Sequence, residues 1–206
     1  MIYGLRFITI FFVLLIVSNG CKGVKKVENN SASQLRYSGD ENKSTLNINN
    51  LIDSKKMTLI CVRHAEKIKG ISNPSLTIDG KQRAKDFSML LTDVDVDAIY
   101  SSDYNRTIET ALELSNRTQL PIQRYNPREL DVLKNTILSN HQNEVVVVVG
   151  HSNSTPQFIN VLLSEDKYSS FDESDYDNIF VVSIDAKGNA EPHLLEYGAE
   201  NVAVFH

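Results

Sequence analysis

The chain has 206 residues with 21 basic and 26 acidic side chains, an ordinary composition with room for one domain of about 100–200 residues. Residues 1–55 carry seven Lys and Arg against four Asp and Glu, whereas residues 56–206 carry fourteen against twenty-two. This acidic balance argues against nucleic acid as a partner, since nucleic-acid binding needs clustered basic side chains that neutralise phosphates.

The first 20 residues have the order of an export signal. Arg6 precedes an apolar run from Phe7 to Val17, and small and polar residues then lead to Cys21. The run is shorter than the ~20 apolar residues of a membrane-spanning helix. The stretch LIVSNGC resembles a bacterial lipobox with Cys21 as the lipidated residue, which predicts an exported protein held in the cell envelope by a lipid anchor. The alternative is a secreted protein cleaved near Gly20.

Residues 21–55 are predicted to form a disordered tether, because they are rich in Asn, Ser and Lys and lack the apolar periodicity of a core. The alternative for its last part is local packing onto the domain through Leu46, Ile48, Leu51 and Ile52. Residues 56–206 are predicted to form the folded domain. Cys61 is the one cysteine within it and cannot form an intrachain disulfide. Its place in an apolar run is typical of a small buried hydrophobic residue.

From residue 57 onward, apolar runs alternate with helical patterns. Strands are predicted at residues 57–62, 97–102, 120–125, 144–150, 178–185 and 191–198, and helices at residues 77–93, 104–118, 127–140 and 154–164. The alternation predicts an α/β fold, in which a mostly parallel sheet has helices on both faces and the last two strands form an antiparallel edge hairpin. Ligand sites in such sheets lie beyond the carboxyl ends of the strands.

Charged and polar residues follow three of these strands directly. Arg63 and His64 follow the first strand, Arg106 follows the second, and His151 and Ser152 follow the fourth. Guanidinium groups match the oxygens of a phosphate, and an imidazole nitrogen can carry a phosphoryl group covalently. A second imidazole, if protonated, would donate a hydrogen bond to the charge that builds on the phosphoryl oxygens. The pattern therefore predicts phosphate chemistry at one edge of the sheet.

The motifs RHAEK, LTIDGKQRA, IYSSDYNRTIETA and VVVVVGHSNS, spread over residues 57–160, resemble those of the histidine phosphatase superfamily, which has the phosphoglycerate-mutase-like fold. The resemblance implies that His64 is a nucleophile that becomes phosphohistidine, and that Arg63, Arg106 and His151 complete the phosphate pocket with Ser152 beside them. It implies a phosphatase that needs no metal or other cofactor and acts on a small phosphorylated substrate or a phosphorylated surface molecule. A mutase is less expected, since the chain has little length for pocket-shaping insertions.

The general acid has three candidates. The resemblance places a glutamate between the second arginine and the second histidine, where Glu129 lies; Asp131 competes with it, and Glu66 lies beside the nucleophile. One alternative function is a catalytically inactive lipoprotein that keeps the phosphate cradle and binds anions. Another is a hydrolase with Ser152 as its nucleophile, although GHSNS lacks the Gly-x-Ser-x-Gly frame of such enzymes.

Overall fold

The computed structural model describes residues 35–37 and 45–198. Its strands are β1 (Leu35–Tyr37), β2 (Thr45–Leu46), β3 (Met57–Arg63), β4 (Ala98–Ser102), β5 (Ile122–Tyr125), β6 (Val145–Gly150), β7 (Asn178–Ile184) and β8 (Ala190–Tyr197). Its helices are α1 (Ile78–Leu90), α2 (Asn105–Thr118), α3 (Leu130–Asn140) and α4 (Ser154–Leu163), and a 3-10 turn covers Ile48–Leu51.

All the described strands join one sheet, in the order β2-β1-β8-β7-β3-β6-β4-β5. Strands β3, β6, β4 and β5 are parallel to one another and form the parallel half. Strands β7, β8, β1 and β2 continue the sheet antiparallel from the other side of β3 and form the antiparallel half. The predicted α/β class is confirmed as a mixed sheet, whose parallel strands run from β3 to the edge strand β5. The predicted hairpin is β7–β8, but it is not the edge, because β1 pairs with β8.

The central strands are buried on both faces, as their continuous apolar sequences predict. Every residue of β3 and β6 is buried. Helices α1 and α2 pack against one face of the sheet through residues such as Phe87 and Leu114. Helices α3 and α4 pack against the other face through Leu133 and Phe158, and Cys61 lies in this second core with 1% of its surface exposed. Burial raises the pKa of the Cys61 thiol, which agrees with a packing role.

The structure differs from the predicted tether at residues 35–37 and 45–55. Leu35 and Ile48 are buried in the same core as α1 and α2, and Leu46, Leu51 and Ile52 pack against it. The segment has too few apolar residues to show periodicity in sequence, but β8 offers it unpaired backbone groups and an apolar surface. A local sequence pattern does not reveal pairing between strands that are distant in the chain.

The predicted export signal and Cys21 lie outside the described residues, as does the rest of the segment 21–34. Lipidation of Cys21 and export therefore stay predictions. None of the helices among residues 45–198 has the length and hydropathy of a membrane span.

Candidate active site

The ends of two adjacent parallel strands bring the two pocket histidines together. Arg63 is in register with Gly150, and the His64 backbone N–H donates to the Gly150 carbonyl at 3.0 Å. His64 and His151 each come one residue after these strand ends, and their ring centroids are 5.6 Å apart. Neighbouring strands lie about 4.8 Å apart, so this separation is what the sheet imposes on residues in register.

Gly150 leaves no room for a side chain where β6 turns into α4. A Cβ atom there would lie 2.7 Å from Thr155 Oγ1 and 3.0 Å from both Ser154 Oγ and Tyr125 Oη. The Ser154 hydroxyl instead accepts a hydrogen bond from the His151 backbone N–H at 3.0 Å. The tight turn therefore fixes the backbone from which the His151 side chain projects.

Helix α2 holds both Arg106 and the loop that follows β3. The Ala65 N–H donates to Thr110 Oγ1 at 3.0 Å, and the Leu76 N–H donates to Glu109 Oε2 at 2.8 Å. Arg106 is in the first turn of the same helix, with its guanidinium 4.6 Å from the centre of the Tyr104 ring. The placement of Arg106 is thus tied to that of the chain around His64.

The environment of His64 leaves one ring nitrogen available as a neutral nucleophile. His64 is 2% exposed, and its Nδ1 lies 2.8 Å from the Ala65 carbonyl oxygen. A carbonyl only accepts, so Nδ1 carries the hydrogen and Nε2 keeps its lone pair. Burial, opposed by the bond to Ala65 and aided by the charges of Arg63, His151 and Arg106, lowers the pKa of His64 to about 3. The ring is therefore neutral at neutral pH.

His151 is held in the other tautomer. Arg106 Nη2 lies 3.2 Å from Nδ1, and because a guanidinium only donates, Nδ1 accepts. Nε2 then donates to Ser102 Oγ at 2.8 Å, and Ser102 in turn donates to Thr107 Oγ1 at 3.1 Å. Burial, followed by the charges of Arg106 and Arg63, lowers the pKa of His151 to about 4. In this arrangement His151 is neutral and accepts at Nδ1, whereas the donor role considered from the sequence requires a protonated ring.

The loop between α4 and β7, residues 164–177, contacts Arg63 through several of its residues. Arg63 is 1% exposed, and its Nη1 donates to the carbonyl oxygens of Asp172 and Asp175, each at 2.7 Å. Its guanidinium carbon lies 4.2 Å from the centre of the Tyr176 ring. One nitrogen of the guanidinium thus holds this α4–β7 loop by hydrogen bonds, and the other two make no hydrogen bond.

Three buried guanidinium nitrogens in the described part of the chain have no hydrogen-bond partner: Nε and Nη2 of Arg63 and Nε of Arg106. Arg63 Nη2 lies 3.3 Å from Glu173 Oε2, close enough for an ion pair but outside hydrogen-bonding geometry. Burial and the neighbouring charge of Arg63, opposed by Tyr104, lower the pKa of the Arg106 guanidinium. Buried unpaired donors cost free energy, so this part of the site favours an anion with several acceptor oxygens.

Glu173 is the carboxylate that the structure places against these groups. Besides Arg63, its Oε2 lies 3.4 Å from Lys67 Nζ, and its Oε1 accepts a hydrogen bond from Ser152 Oγ at 3.1 Å. The Glu173 side chain is 70% exposed, so water reaches it. Ser152, predicted to bind phosphate, therefore contacts the carboxylate beside the pocket.

The three predicted acids lie elsewhere or are engaged. Glu129 is exposed at the start of α3, and β5, which precedes it, is three strand spacings, about 14 Å, from β3. Asp131 is exposed in the first turn of α3. Glu66 Oε1 accepts from Arg83 Nε at 2.8 Å, an ion pair that ties the loop after His64 to α1. Neither Glu129 nor Asp131 makes a hydrogen bond or ion pair with the pocket among the described side chains.

Sequence reasoning missed the contribution of the α4–β7 loop. Glu173 and Tyr176 both lie in it and both touch Arg63, and Tyr104 borders the site from the other side. The loop has no periodicity, so it gave no structural signal. Its one clue is the crowding of acids in FDESDYD, directly before a buried strand.

The site combines a neutral imidazole with a free lone pair, two guanidinium groups and one accessible carboxylate. Among residues 35–37 and 45–198, no group of three or more His, Cys, Asp or Glu side chains is placed to hold a metal ion. Such a set of groups can bind a tetrahedral oxyanion, attack its central atom and exchange protons beside it.

Comparisons with known proteins agree with this interpretation of the residues. The model of the histidine phosphatase superfamily (branch 1) matches residues 59–128. Phosphoserine phosphatase 1 of Hydrogenobacter thermophilus is 38% identical over 71 residues, which are 31% of this chain and 34% of that protein. This match spans about a third of the length of the curated relative.

Solved structures share the fold at low sequence identity. The protein histidine phosphatase SixA complexed with tungstate superposes with a TM-score of 0.57 at 15% identity, covering 68% of this chain and 97% of that one. Phosphoserine phosphatase from Entamoeba histolytica, in complex with 3-phosphoglyceric acid, gives a TM-score of 0.55 at 16% identity, covering 71% and 99%. The resemblance to the histidine phosphatase superfamily is thus confirmed over the residues that include His64 and Arg106, and the fold over most of the domain.

Proposed function

We propose that this chain is a phosphatase that hydrolyses a phosphomonoester through a phosphohistidine on His64, without a metal ion. The observation that carries the proposal is the set of unpaired buried guanidinium N–H groups of Arg63 and Arg106 around a neutral imidazole. A phosphate dianion supplies the oxygens that these donors lack and brings its phosphorus atom beside the His64 ring.

His64 supplies the nucleophile in its neutral form. Its Nδ1–H is held by the Ala65 carbonyl, so the lone pair on Nε2 attacks phosphorus and the positive charge that develops on the ring is shared with that hydrogen bond. The lowered pKa means that no proton must be removed before attack at neutral pH. The backbone bond from His64 to Gly150 keeps the ring at the strand end during the step.

Arg63, Arg106 and His151 stabilise the transferring phosphoryl group. When phosphate draws the Arg106 guanidinium toward itself, Nδ1 of His151 loses its donor, and the dianion raises the pKa of His151. His151 then takes up a proton and donates from Nδ1, while Nε2 remains bonded to Ser102. His151 thus becomes a hydrogen-bond donor to phosphate when the substrate binds. Its neutral state in the free protein is therefore compatible with the role implied by the family resemblance.

The substrate is proposed at the level of a phosphomonoester. The similar proteins carry names with different substrates. All phosphomonoesters share the phosphoryl group, and the residues described above are placed to contact that group alone. A small phosphorylated metabolite and a phosphorylated surface molecule both fit this chemistry. The exported location predicted from the first 20 residues favours substrates met outside the cytoplasm.

The test is turnover of para-nitrophenyl phosphate by the full chain in EDTA, with His64→Ala and His193→Ala side by side. We expect turnover that resists the chelator and falls by at least about 10³-fold in His64→Ala, because the nucleophile is removed. His193 lies in β8, so His193→Ala is the matched control and should keep its rate.

Two outcomes would overturn the proposal. Unchanged activity in His64→Ala would remove the nucleophile. A wild-type chain that binds orthovanadate but shows no turnover would instead be an anion-binding protein with the same cradle.

A further inference from the structure

We propose that Glu173, in the α4–β7 loop, is the general acid and base of the reaction. The inference rests on the proposed function, because it assigns a role at the same phosphate site. Its basis is position: among the described carboxylates, Glu173 is the one that lies within ion-pair distance of Arg63, at 3.3 Å.

The contacts of Glu173 place its carboxylate next to the Arg63 guanidinium that is proposed to bind the phosphoryl group. Its two oxygens are divided between Arg63 and Lys67 on one side and the Ser152 hydroxyl on the other, at 3.1–3.4 Å. Arg63 Nη2, the nitrogen next to Glu173, is also one of the unpaired donors proposed for phosphate. A phosphate bound there is adjacent to the Glu173 carboxylate, as proton transfer to its leaving oxygen requires.

The α4–β7 loop is fixed firmly enough to position an acid. Arg63 Nη1 binds two of its carbonyls, those of Asp172 and Asp175, and Tyr176 stacks on the same guanidinium. The Phe171 N–H donates to the Ser152 carbonyl at 2.9 Å, which links the loop to the chain after His151. The Glu173 side chain extends from this anchored backbone and is exposed, so it meets both substrate and water.

The electrostatics of the loop fit a carboxyl that takes up its proton with the substrate. Partial burial opposes ionisation, but Arg63, the Ser152 hydroxyl and Lys67 outweigh it and lower the pKa of Glu173 in the free protein. A phosphate dianion on Arg63 offsets that positive charge and adds negative charge nearby, so it raises the pKa of Glu173. The bound dianion therefore favours uptake of a proton by the carboxyl before the leaving group needs it.

The proposed chemistry has two balanced steps. In the first, Nε2 of His64 forms a bond to phosphorus, the bond from phosphorus to the ester oxygen breaks, and that oxygen takes its electron pair and the proton of the Glu173 carboxyl, which releases an alcohol. In the second, the Glu173 carboxylate removes a proton from water, the water oxygen bonds to phosphorus, and the phosphorus–nitrogen bond breaks with its electron pair returning to Nε2. Inorganic phosphate leaves, and neutral His64 and protonated Glu173 are restored.

The test compares Glu173→Gln with Glu129→Gln, an exposed glutamate at the predicted position, in rapid-mixing experiments with two substrates. The leaving group of para-nitrophenyl phosphate departs without a proton, whereas that of O-phosphoserine is an alkoxide that needs one. We expect Glu173→Gln to release about one equivalent of nitrophenolate per chain in a burst and then stall, because step two lacks its base. On O-phosphoserine its rate should fall by about 10²–10⁴-fold. Glu129→Gln should match the wild type on both.

Further readouts separate this assignment from folding and from the proposed function. Glu173→Gln should bind orthovanadate at least as tightly as the wild type, since a negative charge beside the anion is removed. A burst of Glu173→Gln that persists when His64 is also replaced by Ala refutes the phosphohistidine mechanism itself. Turnover that requires His64, with Glu173→Gln turning over both substrates at the wild-type rate or faster, overturns only the assignment of Glu173.

Discussion

The two halves of the sheet contribute to the site in different ways. The parallel half delivers Arg63, His64 and His151 directly from the ends of β3 and β6, and the turn after β4 leads to Arg106. The antiparallel half delivers no pocket residue from a strand end. Its contribution is the α4–β7 loop, which enters β7 and carries Glu173 and Tyr176 against Arg63.

In the proposed reaction, this difference separates the groups that bind phosphate from the group that transfers protons. Strands fixed by a continuous backbone ladder place the proposed nucleophile and the guanidinium groups within narrow limits, as stabilisation of a developing charge requires. The carboxylate sits on a loop that is anchored by Arg63 and remains open to water. Arg63 is the residue at which the two halves meet, so changes there should have the largest effect.

Arg63→Lys should abolish both functions of this residue at once. A lysine has one nitrogen and cannot hold the Asp172 and Asp175 carbonyls while it also donates to phosphate. We expect kcat/KM for para-nitrophenyl phosphate to fall by about 10³-fold, or ~4 kcal/mol of transition-state stabilisation. Arg36→Lys, in β1, is the matched control and should stay within about threefold of the wild type. A similar loss in both variants would contradict the assignment of Arg63.

Leu35→Ala tests whether the antiparallel half supports stability rather than chemistry. Leu35 has no exposed surface and packs in the core under α1 and α2, so its truncation should lower the free energy of unfolding by about 3 kcal/mol. At temperatures where the variant is folded, kcat should be unchanged. Tyr37→Ala, at a residue 42% exposed in the same strand, should cost less than about 1 kcal/mol. Equal urea midpoints for Leu35→Ala and the wild type would mean that β1 does not belong to the folded domain.

The buried histidines of the parallel half should make the protein sensitive to acid. The pKa of His64 is 6.5 in its ordinary state and about 3 in the fold. As the pH falls below 6.5, the unfolded chain binds a proton that the folded chain does not, so stability falls with pH, by about 2 kcal/mol at pH 5. His64→Ala removes this contribution, and urea unfolding in phosphate-free buffer at pH 7 and pH 5 measures it. Wild-type and variant stabilities that fall in parallel would refute the lowered pKa.

The parallel half could be predicted from the sequence because its information is local. A buried strand is a continuous apolar run, and the residues that follow it must lie at the carboxyl edge of the sheet. Position in the chain therefore suffices to bring Arg63, His64, Arg106 and His151 to that edge. Their hydrogen bonds do not follow from position. The opposite tautomers of the two histidines depend on Ala65 and on the contact with Arg106, which no spacing rule supplies.

The antiparallel half could not be predicted to the same extent, because its contacts join distant parts of the chain. Leu35 pairs with Tyr197 across 162 positions, and Glu173 meets Arg63 across 110. The family resemblance placed the acid at Glu129, whereas the structure leaves that residue exposed after the far strand β5. Site residues in loops of this kind are identified from their contacts in the structure, because the sequence pattern does not reveal them.

The most direct test of the account is to trap the phosphorylated protein. The full chain is mixed with para-nitrophenyl phosphate, quenched in base, in which phosphohistidine survives, and analysed by mass spectrometry of the peptide that contains His64. The account predicts a phosphoryl group on His64 in a fraction of the wild-type chains, none in His64→Ala, and a larger trapped fraction, approaching one per chain, in Glu173→Gln. A phosphoryl group on Ser152, or turnover without any phosphorylated histidine, would contradict it.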